Sequence, residues 1–290
     1  MDGGGRSQCD RSTTAIVVDS CADLPESLRE DPNVTMVPLN VHFGDEVFRD
    51  WIDIDPTRFY RRLRTAEKLP TTSQPSAGAF MEAYRRLRQT YEHVFSLHLS
   101  SRLSGTYASA CLAEAEVEGV TVVDTGMASA SIALMVDRIL AMLDRGTTAE
   151  EVLAYAQRYR EESGFIFMVD TLEFLQRGGR IGRASSIAGS LLNIKPLLTL
   201  TEGEVDVYKK VRGEKKAFAV MLDYFLERTQ PGGTVFVVVA DADAPDKMRE
   251  LRAMLEATDR SIDLRFVAQV GPVIGTYAGP GAVALFFISE

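Results

Sequence analysis

The sequence predicts an α/β protein of two domains, the first on a mainly parallel sheet and the second on a mixed one. Three observations carry this. The chain has 290 residues, 46% of them hydrophobic, enough for two ordinary cores. Through the first half, apolar strand-like runs alternate with helical periodicity, the signature of βαβ units. Beyond a double glycine at 178–179, two strand-like runs flank a tight turn, a hairpin that a purely parallel domain would not contain.

In chain order, the opening MDGGGRSQCDRS is rich in Gly and Ser without an apolar stretch, so residues 1–13 are expected to be a disordered leader rather than a signal peptide. TAIVVD at 14–19 is the first strand and VTMVPLNVHF at 34–43 the second. Helices are expected from Pro56, Ser76 and Ser104, interleaved with VFSLHLS at 94–100 and VTVVD at 120–124, and then near 127–145 and 148–163. These strands lack polar alternation, as expected when helices cover both faces of a sheet. FIFMVD at 165–170 closes the first domain, 14–170, and the second runs over 171–290. The second begins with the helical stretch TLEFLQR, which the glycines end. KPLLTL at 195–200 and VDVYKKV at 205–211 form the hairpin around TEGE. A helix from Gly213, the strand TVFVVVA, a helix at 245–257, IDLRFVAQV and AVALFFI complete the domain.

Composition excludes several functions. With 32 Lys+Arg against 41 Asp+Glu the formal charge is −9, which repels a phosphate backbone, so nucleic acid is not an expected partner. The longest apolar runs fall short of the roughly 20 residues of a membrane helix, and a cytoplasmic location is expected. Cys9, Cys21 and Cys111 have no CxxC spacing, and His42, His93 and His98 form no metal motif. His93 and His98 flank an apolar strand and read as strand-end or surface histidines without a catalytic role. No Ser/His/Asp triad, phosphate loop or dinucleotide fingerprint is present.

What remains are polar segments at strand-to-helix junctions, where open α/β sheets place ligands. Asp19-Ser20-Cys21-Ala22-Asp23-Leu24-Pro25 follows the first strand and, taken alone, reads as a turn with a helix cap before it reads as a ligand site. In Thr71-Thr72-Ser73-Gln74-Pro75-Ser76, Ser76 suffices as a cap, and Thr72 or Ser73 is left as a candidate ligand. Ser100-Ser101-Arg102-Leu103-Ser104-Gly105 leads into a helix whose free N–H groups favour an anion, although Ser104 reads as a simple cap as well. Gly178-Gly179-Arg180-Ile181-Gly182-Arg183 places two arginines, forks suited to carboxylate or phosphate, at the domain seam. Gly275-Thr276-Tyr277-Ala278-Gly279-Pro280-Gly281 reads as a loop before the last strand.

Taken together, DSCADL, PLNV, TTSQPS, SSRLSGTY, LEFLQRGGRI, NIKPLL and GPVIGTYAGPGA, in this order from about Ala15 to the C-terminus, resemble the DegV family, lipid-presenting subunits of bacterial fatty acid kinase. The resemblance implies a two-domain DegV-like fold with a tunnel between the domains for a long-chain fatty acid, no catalytic residues of its own and no cofactor or metal. It implies that Thr72 and Ser104, with Ser73, Gly105 and Tyr277 beside them, contact the carboxylate, and that Arg180 presents the headgroup to the kinase. The implied partners are the fatty acid, the ATP-binding kinase subunit and, transiently, a membrane surface, in the service of phospholipid synthesis. Where many relatives carry a histidine in the last loop, this chain has Tyr277, which can donate a hydrogen bond but has no cationic form. The competing reading from the residues alone is an enzyme acting on a small phosphorylated substrate, because hydroxyl-rich helix starts and Arg180 with Arg183 suit a phosphate too.

Overall fold

The computed structural model describes residues 8–187 and 194–290. The chain runs β1 (Gln8–Cys9), β2 (Thr14–Asp19), a single 3-10 turn (Ser20–Ala22), α1 (Glu26–Arg29), β3 (Val34–Val37), β4 (Asn40–Phe43), β5 (Glu46–Arg49), α2 (Pro56–Leu63), β6 (Thr71–Ser73), α3 (Ala77–Leu87), β7 (His93–His98), α4 (Thr106–Glu114), β8 (Val120–Asp124), α5 (Ala130–Leu143), β9 (Thr147–Thr148) and α6 (Ala149–Glu162). It continues with β10 (Gly164–Met168), α7 (Glu173–Arg177), a 3-10 segment (Gly182–Ile187), β11 (Ile194–Thr201), β12 (Glu204–Arg212), α8 (Glu214–Arg228), β13 (Thr234–Asp241), α9 (Pro245–Glu256), β14 (Ser261–Gln269), α10 (Pro272–Ala278) and β15 (Val283–Ser289).

The first unit carries a parallel sheet in the order β3-β2-β7-β8. Ala15 and Val17 on one face pack against Phe80, Tyr84, Ala110 and Ala113 of α3 and α4, whereas Ile16 and Val18 face the large central core. This two-sided burial explains the unbroken apolar runs. The long run at 34–43 is two strands. Pro38 has no N–H to donate to a ladder, and the chain turns there, so that β3 stays in the parallel sheet and β4 joins β5 and β6 in a separate antiparallel one.

The second sheet has six strands in the order β12-β11-β10-β15-β13-β14, all antiparallel pairs except β13 with β14. β10 is therefore internal to this sheet rather than the closing strand of the first domain. An apolar run shows that a strand is buried but not which sheet buries it, and the division between the sheets falls at the junction of α6 and β10. Successive residues alternate between faces: Phe165, Ala284 and Phe286 join the central core, while Ile166, Met168, Leu285 and Phe287 pack beneath α8 and α9. Between the sheets lies α5, which is apolar almost all round and buried over most of its length, as a helix enclosed on all sides must be.

Two further expectations need correction. Residues 8–13 of the supposed leader are built into the fold: β1 pairs with β9, Cys9 is buried, and Arg11 binds Asp31 at 2.7 Å and Asp144 at 2.8 Å. The rest of that stretch lies outside the described residues, as does Asn193 of the NIKPLL motif. His98 ends β7, as a strand-end histidine should, but is buried rather than at the surface. Its Nδ1 donates to Asp19 Oδ2 at 3.0 Å, the carboxylate being acceptor-only, and its Nε2 lies 2.6 Å from Ser96 Oγ, which accepts from the Tyr84 hydroxyl at 2.8 Å. This chain of bonds is wholly inside the core. No helix among the described residues is long and apolar enough to cross a membrane.

Candidate functional site

In the parallel sheet the chain steps from β2 outward to β3 and then returns to the other side of β2 with β7. Such a reversal opens a crevice at the carboxyl ends of the two central strands. The loops after β2, β7 and β8 bound it, and the inner face of the six-stranded sheet closes it from the other side. The result is a cavity of about 860 Å3, partly open to solvent, whose lining includes Cys21, Leu103, Ala128, Phe165, Ile274 and Phe286. Its wall is almost entirely apolar, as the walls of ligand pockets mostly are.

The polar groups cluster where the cavity reaches the surface. Thr72 Oγ1 lies 2.6 Å from the Tyr277 hydroxyl. The exposed Arg180 stacks over the Tyr277 ring at 4.9 Å, while its Nε donates to the Leu103 carbonyl at 3.2 Å and its Nη1 to the Gly178 carbonyl at 2.8 Å. Ser104, next to Leu103, also lines the cavity. Its Oγ accepts the Thr106 N–H at 3.3 Å and lies 2.9 Å from Thr106 Oγ1, so Ser104 orders the first turn of α4 as well as facing the cavity. The structure thus brings Thr72, Ser104, Arg180 and Tyr277 to one mouth.

Ser73 and Gly105 are placed differently. Side chains alternate along β6: Thr72 points inward, opposite Val41, and Ser73 points away, 2.9 Å from His42 Nε2 and accepting from Asn40 Nδ2 at 3.4 Å. Ser73 does not line the cavity. Gly105 is the residue before α4, pressed by the Gln74 side chain, which would meet an added Cβ at 2.2 Å. Gln74 in turn donates to Ser109 Oγ at 2.9 Å. Ser76 caps α3, accepting the Ala79 N–H at 3.2 Å.

The segment read as a loop around Tyr277 is the helix α10, launched by Pro272 at its first position. The helix carries Ile274, Tyr277 and Ala278 along the cavity wall. The double glycine after α7 makes room for the tyrosine: a Cβ on Gly178 would come within 2.4 Å of the ring. Gly179, at φ +70°, reverses the chain so that the Arg180 N–H reaches the Leu175 carbonyl at 3.0 Å.

Beside the wall residues Cys21 and Ser129 lies a buried cluster, of which the motifs offered only the DSCADL segment. Asp23 sits buried with a left-handed backbone (φ +46°), accepting from Ser129 Oγ at 2.6 Å and from the Gly271 N–H at 2.9 Å. Ser129 is itself at φ +58°, a cost for a residue with a Cβ. Burial pushes the Asp23 carboxyl up to about 7 despite those two bonds. Asp50, also buried, is raised well above the carboxylate range by the same cause. The Cys21 thiol is raised too, by burial and then by the nearby Asp19, Asp50 and Asp23, which keeps it protonated and inert. The one available signal for the rest of the wall was the period of two in FIF and ALF, which puts Phe165, Phe167, Ala284 and Phe286 on a common face. Among the described residues no cluster of His, Cys, Asp or Glu is arranged to hold a metal. An apolar enclosure with hydroxyls and a guanidinium at one mouth is suited to a molecule with an apolar body and an acceptor-rich head.

A family model described as "Uncharacterised protein, DegV family" matches residues 13–290. A protein named fatty acid-binding protein from Thermotoga maritima is 37% identical over 275 residues, covering 92% of this chain and 95% of the relative. A fatty-acid-binding DegV family protein from Thermus thermophilus superposes with a TM-score of 0.92 at 40% identity, over 96% of this chain and 100% of that one. A stearic acid-binding protein from Eubacterium ventriosum superposes with a TM-score of 0.84 at 26% identity, over 96% and 98% of the two chains. With a match that spans both sheets and the crevice between them, the chain belongs to the DegV family.

Proposed function

We propose that this protein binds one long-chain fatty acid in the cavity and presents its carboxylate to a fatty acid kinase, itself contributing no catalytic residue and needing no cofactor. The observation that carries the reading is the cavity itself, apolar along its length and hydroxyl-lined at the mouth. Burying a tail contributes roughly 0.8 kcal/mol per methylene, about 11 kcal/mol for the ~14 methylenes of palmitate, before the cost of immobilisation. A wall so apolar suits a small sugar phosphate poorly, which sets the enzyme reading aside.

In this account Thr72, Ser104 and Tyr277 donate to the carboxylate, because a carboxylate taken from water needs donors aimed at it. Gly105 shapes the loop that holds Ser104, and Ser73 supports the strand from behind. The partner kinase supplies ATP. A carboxylate oxygen of the lipid forms the new bond to the γ-phosphorus, the bond from that phosphorus to the bridging oxygen of ADP breaks, and ADP leaves with the electron pair. The acyl phosphate then serves phospholipid synthesis. The protein works in the cytoplasm and collects its ligand by brief contact with a membrane surface.

The test is Arg180→Ala assayed twice. The tail provides most of the gross driving force, so fatty acid should still be retained, while acyl-phosphate formation with the cognate kinase and ATP should fail. Normal turnover would remove Arg180 from the mechanism.

A further inference from the structure

The hydrogen-bonding capacity of the cavity mouth can be counted proton by proton. Arg180 carries the one cationic group among the described lining residues, and no lysine or histidine joins it. The other polar side chains at the mouth are the hydroxyls of Thr72, Ser104 and Tyr277. Each can donate one proton and can also accept. The 2.6 Å contact between Thr72 Oγ1 and the Tyr277 hydroxyl commits one of the three protons to a bond inside the pair. Ser104 Oγ accepts the Thr106 N–H at 3.3 Å and lies 2.9 Å from Thr106 Oγ1. With the Thr106 hydroxyl as donor in that second contact, the Ser104 proton is free. Two protons are therefore left for a ligand, with hydroxyl lone pairs beside them.

Arg180 adds less than its charge suggests. Its Nε and Nη1 already donate to the Leu103 and Gly178 carbonyls. Its guanidinium lies over the Tyr277 ring at 4.9 Å, on a residue exposed to solvent, where water screens the charge. A carboxylate offers acceptors only, about four lone-pair sites, so two hydroxyl protons leave it half satisfied while its desolvation cost is large. An alcohol needs one donor and one acceptor. The Thr72–Tyr277 pair has both, an outward proton and free lone pairs, and an alcohol set against it leaves no polar group unpaired and needs no counter-charge.

We propose that the cavity also takes long-chain lipids with a neutral hydroxyl head, the fatty alcohols, and that the paired hydroxyls of Thr72 and Tyr277 are the donor and acceptor that recognise this head. The inference rests on the fatty-acid reading above and widens its ligand class. The tail contributes equally to an acid and an alcohol of the same length, so the head alone ranks them. The alcohol makes weaker hydrogen bonds than the carboxylate but loses less hydration, and the two effects oppose each other.

The test is displacement of a fluorescent fatty acid from the delipidated protein by palmitate, hexadecanol and hexadecane, each delivered from cyclodextrin. Hexadecanol should bind within about tenfold of palmitate and clearly more tightly than hexadecane, which has the tail without a head. Tyr277→Phe keeps the ring beneath Arg180 and removes one member of the pair. It should weaken hexadecanol about fivefold and leave hexadecane unchanged, whereas damage to the cavity itself would weaken both. Palmitate that displaces the probe while hexadecanol is more than about tenfold weaker, or no stronger than hexadecane, would overturn the inference and leave the fatty-acid reading standing. Hexadecanol binding untouched by Tyr277→Phe would overturn it as well. Failure of palmitate to bind the wild-type protein would remove the reading and the inference together.

Discussion

The hydroxyls of Thr72 and Tyr277 meet at 2.6 Å although 205 residues separate them in sequence. The contact joins a strand of the first unit to the helix that precedes the final strand. One hydroxyl must donate and the other accept, so the pair holds a proton at the cavity mouth that an incoming carboxylate can recruit.

Removing one hydroxyl from the mouth should cost affinity and little stability. Thr72→Val and Ser104→Ala should each weaken palmitate binding by about 1.5–3 kcal/mol if their bonds are charge-assisted. Folded variants with unchanged affinity would refute the assignment. Ser73→Ala should leave affinity unchanged, since Ser73 faces His42.

Gly178→Ala probes the seat of Tyr277. The new Cβ would lie 2.4 Å from the ring, and an aromatic ring cannot fold aside as a long aliphatic chain can. The ring must shift, at about 1–3 kcal/mol of overpacking, carrying its hydroxyl away from Thr72. Lowered melting temperature together with weakened palmitate binding is the expected outcome. Wild-type affinity would show that Tyr277 has no part in the site.

Asp23 makes stability depend on pH. Its carboxyl rises from 3.8 to about 7 on folding, chiefly through burial. A carboxyl raised on folding favours the folded state while protonated. That contribution is complete below about pH 4 and is lost as pH climbs through about 7. Between about pH 5 and about pH 8 the wild type should therefore lose roughly 2–3 kcal/mol through this group. Asp23→Asn has no proton to lose, and its amide can still meet Ser129 and Gly271. Urea denaturation should show the variant gaining on the wild type across that interval, and a constant difference between the two would contradict the assignment.

Much of this was legible in the residues. The alternation of runs such as TAIVVD and VTVVD with helical segments located the parallel sheet, and the hydroxyls of TTSQPS and SSRLSGTY located two sides of the mouth. Three things were not legible, each for a physical reason. Pairing partners are non-local, so FIFM could not announce that its neighbours are β11 and β15 rather than the strands before it. Thr72 and Ser73 are alike in composition, and only the register with Val41 turns one inward and the other outward. Asp23 and Ser129 hold left-handed backbones that neither residue type advertises, and their bond exists only once α5 is docked.

The most direct test of the central claim is native mass spectrometry of the purified full-length chain, followed by organic extraction. The account predicts one bound fatty acid per protein, released on denaturation and replaceable by added palmitate or oleate. A protein that carries no lipid and gives no calorimetric signal with either acid would contradict it.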